Sequence, residues 1–167
     1  MMAESRADRI LRRFDRRAEY TGFLITLPQD VRAFLDAPLH AVVATHTPDG
    51  EIWQAVVWYA LQADGVLMNS LFGRRWSDNL RHDPRLSMTV FDGEDYVILR
   101  GRAVVVDDAD RAMAEARALA RLYGRDPNAH TGQHRVRVVF RPERAGMHGR
   151  FERQTAARGE LDGADQS

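Results

Sequence analysis

Apolar and polar residues alternate along most of the chain between Leu39 and Phe140, in runs that turn residues separate. A period of two is typical of β-strands that bury one face. The pattern predicts strands over Leu39–Thr45, Ile52–Leu61, Val66–Leu71, Leu86–Phe91, Tyr96–Val106 and Val136–Phe140, and a short last strand that reaches Met147.

Turn residues lie between these runs. In Thr47-Pro48-Asp49-Gly50 the proline presets one torsion angle and the glycine permits a positive one. Ala63-Asp64-Gly65 and Asp92-Gly93-Glu94-Asp95 separate the next runs in the same way. Gly101 interrupts the run Tyr96–Val106, and an isolated glycine inside a strand predicts a bulge or a bend.

Three other segments repeat their apolar residues at helical spacing. They are Pro28 to the residue before Pro38, Trp76 or Ser77 to the residue before Pro84, and Ala109–Tyr123. Ser77 is interpreted as the N-terminal cap of the second helix. Asp107 or Asp108 caps the third helix, and Gly124 closes it.

The order of these elements predicts the fold class. Six or seven strands are joined mostly by tight turns, and helices are few, which is typical of an antiparallel barrel. Alternating strand and helix units are missing, which disfavours a doubly wound parallel sheet. The sequence therefore predicts an α+β protein that is mainly β.

Composition divides the chain into three regions. Residues 1–27 form an arginine-rich leader, in which Ile10, Leu11 and Phe14 could line one face of a short helix. Residues 28–149 form the folded domain. Residues 150–167 are polar and lose the apolar period, so we expect a disordered tail.

The charged residues narrow the possible functions. Basic and acidic residues balance at 24 each, so we expect neither a nucleic acid nor a membrane as a partner. All 24 basic residues are arginine, so mechanisms that use a Schiff-base lysine are excluded. The chain has no cysteine, which excludes cysteine nucleophiles and thiolate metal sites. The chain has neither a membrane span nor a secretory signal, and a cytoplasmic location is predicted.

The segment Asn69–Arg85, NSLFGRRWSDNLRHDPR, is the strongest candidate for a binding site. It joins a strand to a helix through Gly73 and the adjacent Arg74 and Arg75. Guanidinium groups bind phosphate or carboxylate through paired, charge-assisted hydrogen bonds. Amides at the start of a helix add further donors. The segment therefore predicts a phosphorylated cofactor.

Other reactive side chains have simpler interpretations. His130 and His134 are four residues apart, but Thr131 and Gly132 between them disfavour a helix, so a loop is favoured over a metal pair. Ser77 lacks the surroundings of a nucleophile. The acidic residues at 92–95 belong to a hairpin turn. No metal site is predicted.

Several motifs together resemble a known family. They are the PDG turn, Val57-Trp58-Tyr59, the arginine pair, Asn79-Leu80-Arg81, Asp83-Pro84-Arg85, the long strand through Gly101, and the helix after Asp107-Asp108. Over about Pro28–His148 the chain resembles the pyridoxamine 5′-phosphate oxidase-like split β-barrel superfamily. Within it, the GRRW spacing and the VVWY strand are most similar to the actinobacterial branch that uses the deazaflavin coenzyme F420.

The resemblance implies a homodimer with the cofactor in the groove between two chains. It places the cofactor phosphate on Arg74 and Arg75, and it has Asn79 brace the loop or bind near the phosphate. Trp76, where many relatives have lysine, is a weaker cofactor candidate. The implied ring contacts are Val56, Val57, Trp58, Tyr59, Asn69, Ser70 and Leu71. Because Trp58 and Tyr59 point to opposite faces of a strand, at most one of them faces the groove.

The resemblance implies an F420-dependent oxidoreductase that transfers hydride to or from an unsaturated small molecule. Tyr59 or water is the implied proton donor. The alternatives are an oxidase or flavin reductase that uses flavin mononucleotide (FMN), a carrier that binds F420 or FMN without turnover, and a haem-related activity. Arg81, Arg85 and Arg100 could meet the acidic tail of F420. Replacing Arg75 with alanine is expected to weaken cofactor binding by about 1–3 kcal/mol.

Overall fold

A computed structural model describes residues 25–62 and 65–152 of the chain. Its strands are β1 (Ala41–His46), β2 (Ile52–Val57), β3 (Tyr59–Gln62), β4 (Gly65–Leu71), β5 (Arg85–Asp92), β6 (Asp95–Val106) and β7 (Arg135–His148). Its helices are α1 (Gln29–Asp36), α2 (Arg75–His82) and α3 (Ala109–Leu122), and a 3₁₀ turn covers Gly149–Phe151. The predicted leader helix, the predicted tail after residue 152 and part of the turn at residues 63–65 lie outside the described residues.

The strands form one antiparallel seven-stranded sheet in the order β2-β1-β5-β6-β7-β4-β3. The two edge strands, β2 and β3, follow each other directly in the chain. The sheet therefore curls back on itself, and the predicted class, an α+β and mainly β half-barrel, is confirmed. Strand β2 pairs with β1, whereas β3 pairs with β4 at the other edge.

The prediction of one continuous strand over Ile52–Leu61 is wrong, because the strand breaks at Trp58. The side chain of Tyr123, which lies outside the sheet, forms hydrogen bonds with backbone groups at this break. The Tyr123 hydroxyl accepts a hydrogen bond from the Tyr59 amide at 3.1 Å and donates one to the Leu39 carbonyl at 2.6 Å. Alternation alone could not reveal the break, since both halves are extended.

The predicted bulge is present in the pairing of β6 with β7, whose register shifts between Arg100 and Gly101. A Cβ atom on Gly101 would lie 2.0 Å from the carbonyl oxygen of Arg141, so only glycine fits. The prediction of two short strands at the end of the chain is wrong. One strand, β7, spans both predicted segments. The bulge takes up one extra residue of β7, so that β7 pairs with β6 on both sides of it.

The helices cover the core. Helix α1 buries Val31, Phe34 and Leu35, as helical spacing predicts, and the Phe34 ring meets the edge of Phe151 at 5.2 Å. Phe151 is buried in the core, so the packed domain extends past the predicted boundary at Gly149. In α3 the Asp108 side chain accepts a hydrogen bond from the Arg111 amide at 3.0 Å, which confirms the predicted cap.

The prediction that Ser77 caps α2 is wrong. Helix α2 begins at Arg75, and Ser77 is fully buried inside its first turn. The Ser77 hydroxyl lies 3.0 Å from the Ser70 hydroxyl on β4, which ties the helix to the sheet.

Within the described residues, no helix is both long and apolar enough to cross a membrane. The predicted cytoplasmic location and the predicted absence of nucleic-acid and membrane partners stay predictions.

Candidate functional site

A cleft of about 510 Å³ opens beside the strand break. Its walls come from β2, β4, the start of α2, the middle of α3 and the loop before β7. The lining residues are His40, Ala55, Val56, Val57, Trp58, Asn69, Ser70, Leu71, Arg74, Trp76, Ala116, Leu119, His130, Gln133 and Arg135. The volume lies within the usual range for pockets that bind cofactors and drug-sized ligands.

Most of the residues expected from the resemblance line this cleft. They are Val56, Val57, Trp58, Asn69, Ser70, Leu71, Arg74 and Trp76. Chain order and strand pairing explain this convergence, because β3, which follows Trp58 directly, pairs with β4, and α2 follows β4 closely in the chain. The residues Tyr59, Arg75 and Asn79 do not line the cleft.

Tyr59 lies in the core, while its neighbour Trp58 faces the cleft. The Tyr59 hydroxyl donates a weak hydrogen bond to the Ala37 carbonyl at 3.4 Å. Burial raises the pKa of Tyr59 well above the usual range of a tyrosine. This position does not suit a proton donor to a molecule in the cleft.

Arg75 and Asn79 are directed at other parts of the protein. The Arg75 guanidinium lies 4.6 Å from the ring centre of Trp53, as a cation–π contact. The buried Asn79 amide donates a hydrogen bond to the Thr45 hydroxyl at 3.1 Å. Of the two roles expected for Asn79, the structure contains the bracing one, between α2 and β1.

Arg135 is a cleft residue that sequence reasoning missed. Its Nε donates a hydrogen bond to the Asn69 side-chain oxygen, and its Nη1 donates one to Gln133 Oε1 at 2.7 Å. The Asn69 amide nitrogen in turn donates to the Ala112 carbonyl at 2.7 Å. Asn69 therefore positions Arg135 and the start of α3, and its side chain has little capacity left for a ligand.

Arg74 and Arg135 place two positive charges at one end of the cleft. Burial, and then the charge of Arg74, lower the pKa of Arg135. A lowered arginine pKa means that the charged form is disfavoured there in the absence of an anion. An anionic group between the two guanidiniums would offset this cost.

Another part of the cleft wall is aromatic. The Trp58 ring stacks on Tyr123 with centres 5.1 Å apart and 15° between the planes. Trp58 Nε1 donates a hydrogen bond to His40 Nε2 at 3.2 Å. His130 approaches the Trp58 ring edge-on, with centres 6.3 Å apart. These contacts hold the indole as a rigid, planar surface.

His130 was expected to be a loop residue, and it lies in the loop between α3 and β7. The structure adds that it lines the cleft. Burial, and then the positive charge of Arg135, lower its pKa, while a hydrogen bond with Gln133 acts in the opposite direction. Burial and the charge of Arg135 therefore favour the neutral imidazole in the unliganded cleft.

A buried ion pair anchors α3 behind the cleft. Glu115 Oε2 accepts a hydrogen bond from Arg137 Nε at 3.0 Å, and Glu115 Oε1 accepts one from Arg111 Nε at 3.2 Å. Burial raises the pKa of Glu115, and the two arginines act against this shift. The pair locks Ala116 and Leu119, on the same helix, in the cleft wall.

Taken together, the cleft suits a planar, largely apolar molecule with an anionic end. Among the described residues, no three histidine, aspartate or glutamate side chains converge as a metal site would require. The three extra arginines expected near the cofactor do not line the cleft. Arg81 Nη2 donates a hydrogen bond to Asp107 Oδ1 at 2.7 Å, and Arg85 Nε donates one to Asp83 Oδ1 at 2.9 Å. Arg100 lies on β6, outside the cleft.

The sequence profile of the pyridoxamine 5′-phosphate oxidase family matches residues 27–149. The chain therefore belongs to this family, and its split-barrel fold is the one that the motifs predicted. No curated protein matches the chain by sequence.

Solved structures with the same fold include an F420 reductase, with 25% identity and a TM-score of 0.64 over 72% of this chain and 98% of that one. A conserved hypothetical protein from Mycobacterium tuberculosis has 20% identity and a TM-score of 0.64, covering 80% of this chain and 89% of that one. The haem storage protein of Vibrio cholerae has 13% identity and a TM-score of 0.58, covering 75% of this chain and 96% of that one. The last two similarities concern the fold alone.

Proposed function

We propose that this protein is an oxidoreductase that binds the deazaflavin coenzyme F420 in the cleft and transfers hydride between it and an unsaturated small molecule. The observation that supports this most is the pair Arg74 and Arg135 in a cleft that Trp58 and Trp76 also line. The similarity to an F420 reductase favours F420 over FMN as the cofactor.

The residues present fit such a cofactor. Arg74 and Arg135 would hold its phosphate, and Asn69 keeps Arg135 in place through its side-chain oxygen. Trp58 and Trp76 would cover the ring system. When bound, F420 supplies the hydride chemistry, and the protein supplies binding, orientation and exclusion of water.

The proton that accompanies hydride transfer needs a donor inside the cleft. Tyr59 is buried in the core, so it is not suited to be the proton donor. We propose His130 as the donor instead, because it lines the cleft next to Arg135 and Trp58. The imidazolium form, which a bound anion favours, can give a proton to a developing anion and return to the neutral imidazole. Water remains the alternative donor.

We further propose that the active form is a homodimer. The edge strand β2 exposes Ile52, Trp53 and Val56, with 69%, 40% and 67% of their surfaces accessible. Val56 also lines the cleft, so a second chain that covers this strand would complete the cleft wall.

The first test compares three single variants in fluorescence titrations with F420 and with FMN. Arg74→Ala and Arg135→Ala should each weaken F420 binding by about 1–3 kcal/mol, because each removes charged hydrogen bonds to the phosphate. Arg75→Ala is the matched control, since its guanidinium lies over Trp53 and should not affect binding. Equal affinity in all three variants would refute the phosphate site.

A second measurement separates the possible activities. Reduced F420 is mixed with the protein and a panel of unsaturated ketones and quinones, and oxidation is followed by absorbance. Turnover with F420 supports the proposal, whereas tight binding without turnover identifies a carrier. Binding and turnover with FMN alone would identify a flavin enzyme, and a haem spectrum upon addition of haemin, without F420 binding, would identify a haem protein.

A further inference from the structure

A second cavity, of about 340 Å³, lies on the sheet and shares no lining residue with the cleft. Its lining includes four arginines, all with exposed side chains. The complete lining is Ala44, Thr45, His46, Ile52, Arg85, Leu86, Ser87, Arg100, Gly101, Arg102, Glu143 and Arg144.

The arginines lie directly opposite each other on neighbouring strands. Arg85 on β5 pairs with Arg102 on β6, and Arg100 on β6 pairs with Arg144 on β7. Like charges in directly opposite positions destabilise a sheet. Such a pair therefore costs the fold stability unless a carboxylate or a bound anion compensates its charge.

Two of the four arginines have carboxylate partners. Arg85 Nε donates to Asp83 Oδ1 at 2.9 Å, and Arg102 Nε lies 3.3 Å from Glu143 Oε1. Within residues 25–62 and 65–152, neither Arg100 nor Arg144 has an acidic partner. The uncompensated charge thus lies on the β6–β7 pair.

The bulge at Gly101 produces this arrangement. Gly101 pairs with Pro142, and the next pair is Arg100 with Arg144, so that Glu143 is the extra residue on β7. Without the shift, Glu143 would lie opposite Arg100, and the two charges would be neutralised. The bulge therefore replaces an opposite-charge pair with a like-charge pair at the cavity wall.

A histidine in the same cavity also has an unsatisfied atom. His46 Nδ1 is buried and makes no hydrogen bond to any described residue. Its nearest acidic neighbour, Asp83 Oδ2, is 3.7 Å away, which exceeds hydrogen-bond distance.

We propose that this cavity binds a small organic anion, a phosphate or carboxylate on an aryl or alkyl body. Arg100 and Arg144 would take the anionic group through charge-assisted hydrogen bonds. Ala44, which lies on the same face of the sheet as these arginines, would contact the apolar body. The site is separate from the cofactor cleft, so it adds a second ligand to the protein.

The test uses 1-naphthyl phosphate, a fluorescent aryl phosphate, with the full-length chain at low salt. Every protein has the Arg74→Ala substitution, so that binding in the cofactor cleft is weakened. The parent should bind the probe with saturation. Adding R100Q and R144Q should weaken binding about tenfold or more, because charged hydrogen bonds are lost. The control R121Q, on an exposed part of α3, should bind as the parent does.

Thermal unfolding provides a second readout. Without ligand, R144Q should unfold at a higher temperature than the parent, because one like-charge pair is removed. The probe should raise the unfolding temperature of the parent and leave that of the double variant unchanged. Failure of the parent to bind the probe at millimolar concentration, or equal binding by the double variant, would overturn the proposal.

Discussion

Arg135 and His130 illustrate how single side chains in the cleft depend on one another. Arg135 is held by Asn69 and Gln133, and its charge lowers the pKa of His130. An anion bound beside Arg135 would reverse that effect, because negative charge favours the imidazolium form. Binding of an anionic cofactor and protonation of His130 should therefore be coupled.

This coupling predicts that F420 affinity rises as the pH falls from about 7.5 to 5.5, by at most about tenfold per pH unit. The sign follows from the pKa of His130, which is lowered in the free protein and raised by the bound phosphate, so that binding takes up a proton. His130→Gln should remove this part of the pH dependence. Fluorescence titrations at several pH values measure the pH dependence of F420 affinity in both proteins. Protonation of F420 itself affects both proteins equally, so its contribution cancels when the two are compared.

His82→Gln provides the control, since His82 is exposed on α2 and does not line the cleft. Its pH dependence should match that of the wild-type protein. An unaltered pH dependence in His130→Gln would show that His130 takes up no proton on binding.

At the scale of elements, the bulge between β6 and β7, with Glu143 of β7 as its extra residue, determines the register of the longest strand pair. Strand β7 continues through the bulge from Arg135 in the cleft wall to Arg144 in the second cavity. A shift of one residue would turn every later side chain to the other face of the sheet. Gly101 therefore affects both candidate sites without lining the cleft.

We expect Gly101→Ala to lower the free energy of unfolding by about 1–3 kcal/mol, since its Cβ would overlap the backbone oxygen of Arg141. Gly146→Ala on β7 is the matched control, because its nearest neighbours, at 3.7 and 3.9 Å, are in ordinary contact range. Urea unfolding followed by circular dichroism gives both values. Equal stability of the two variants would contradict the role assigned to the bulge.

At the scale of the whole molecule, the curled sheet still has two edges, and β2 at one of them is exposed and apolar. Exposed apolar edge strands favour pairing with another chain. In the proposed homodimer, Ile52, Trp53 and Val56 would be covered by the partner.

Light scattering after gel filtration should give the mass of two chains for the wild-type protein. Val56→Asp should shift the protein toward the mass of one chain, because it places an unpaired charge in the proposed interface. Val104→Asp, at another exposed valine, on β6, should leave the dimer intact. A monomeric wild-type protein, or a dimeric Val56→Asp variant, would exclude this interface.

Much of the fold could be predicted from the sequence, because the relevant signals are local. Alternation located the strands to within a few residues, and helical spacing with capping residues located α1 and α3. The bulge at Gly101 followed from an isolated glycine in a strand. The motifs around Arg74 led to the family, and most of the expected cofactor residues line one cleft.

The remaining features depend on contacts between distant parts of the chain. Asn69 and Arg135 are 66 positions apart and meet only because β4 pairs with β7. Glu115 and Arg137 form a buried pair only because α3 packs on β7. Local periodicity contains no information about which strands pair or in what register. The tertiary structure therefore decided that Arg135, rather than Arg75, joins Arg74 in the cleft, and that Tyr59 lies in the core.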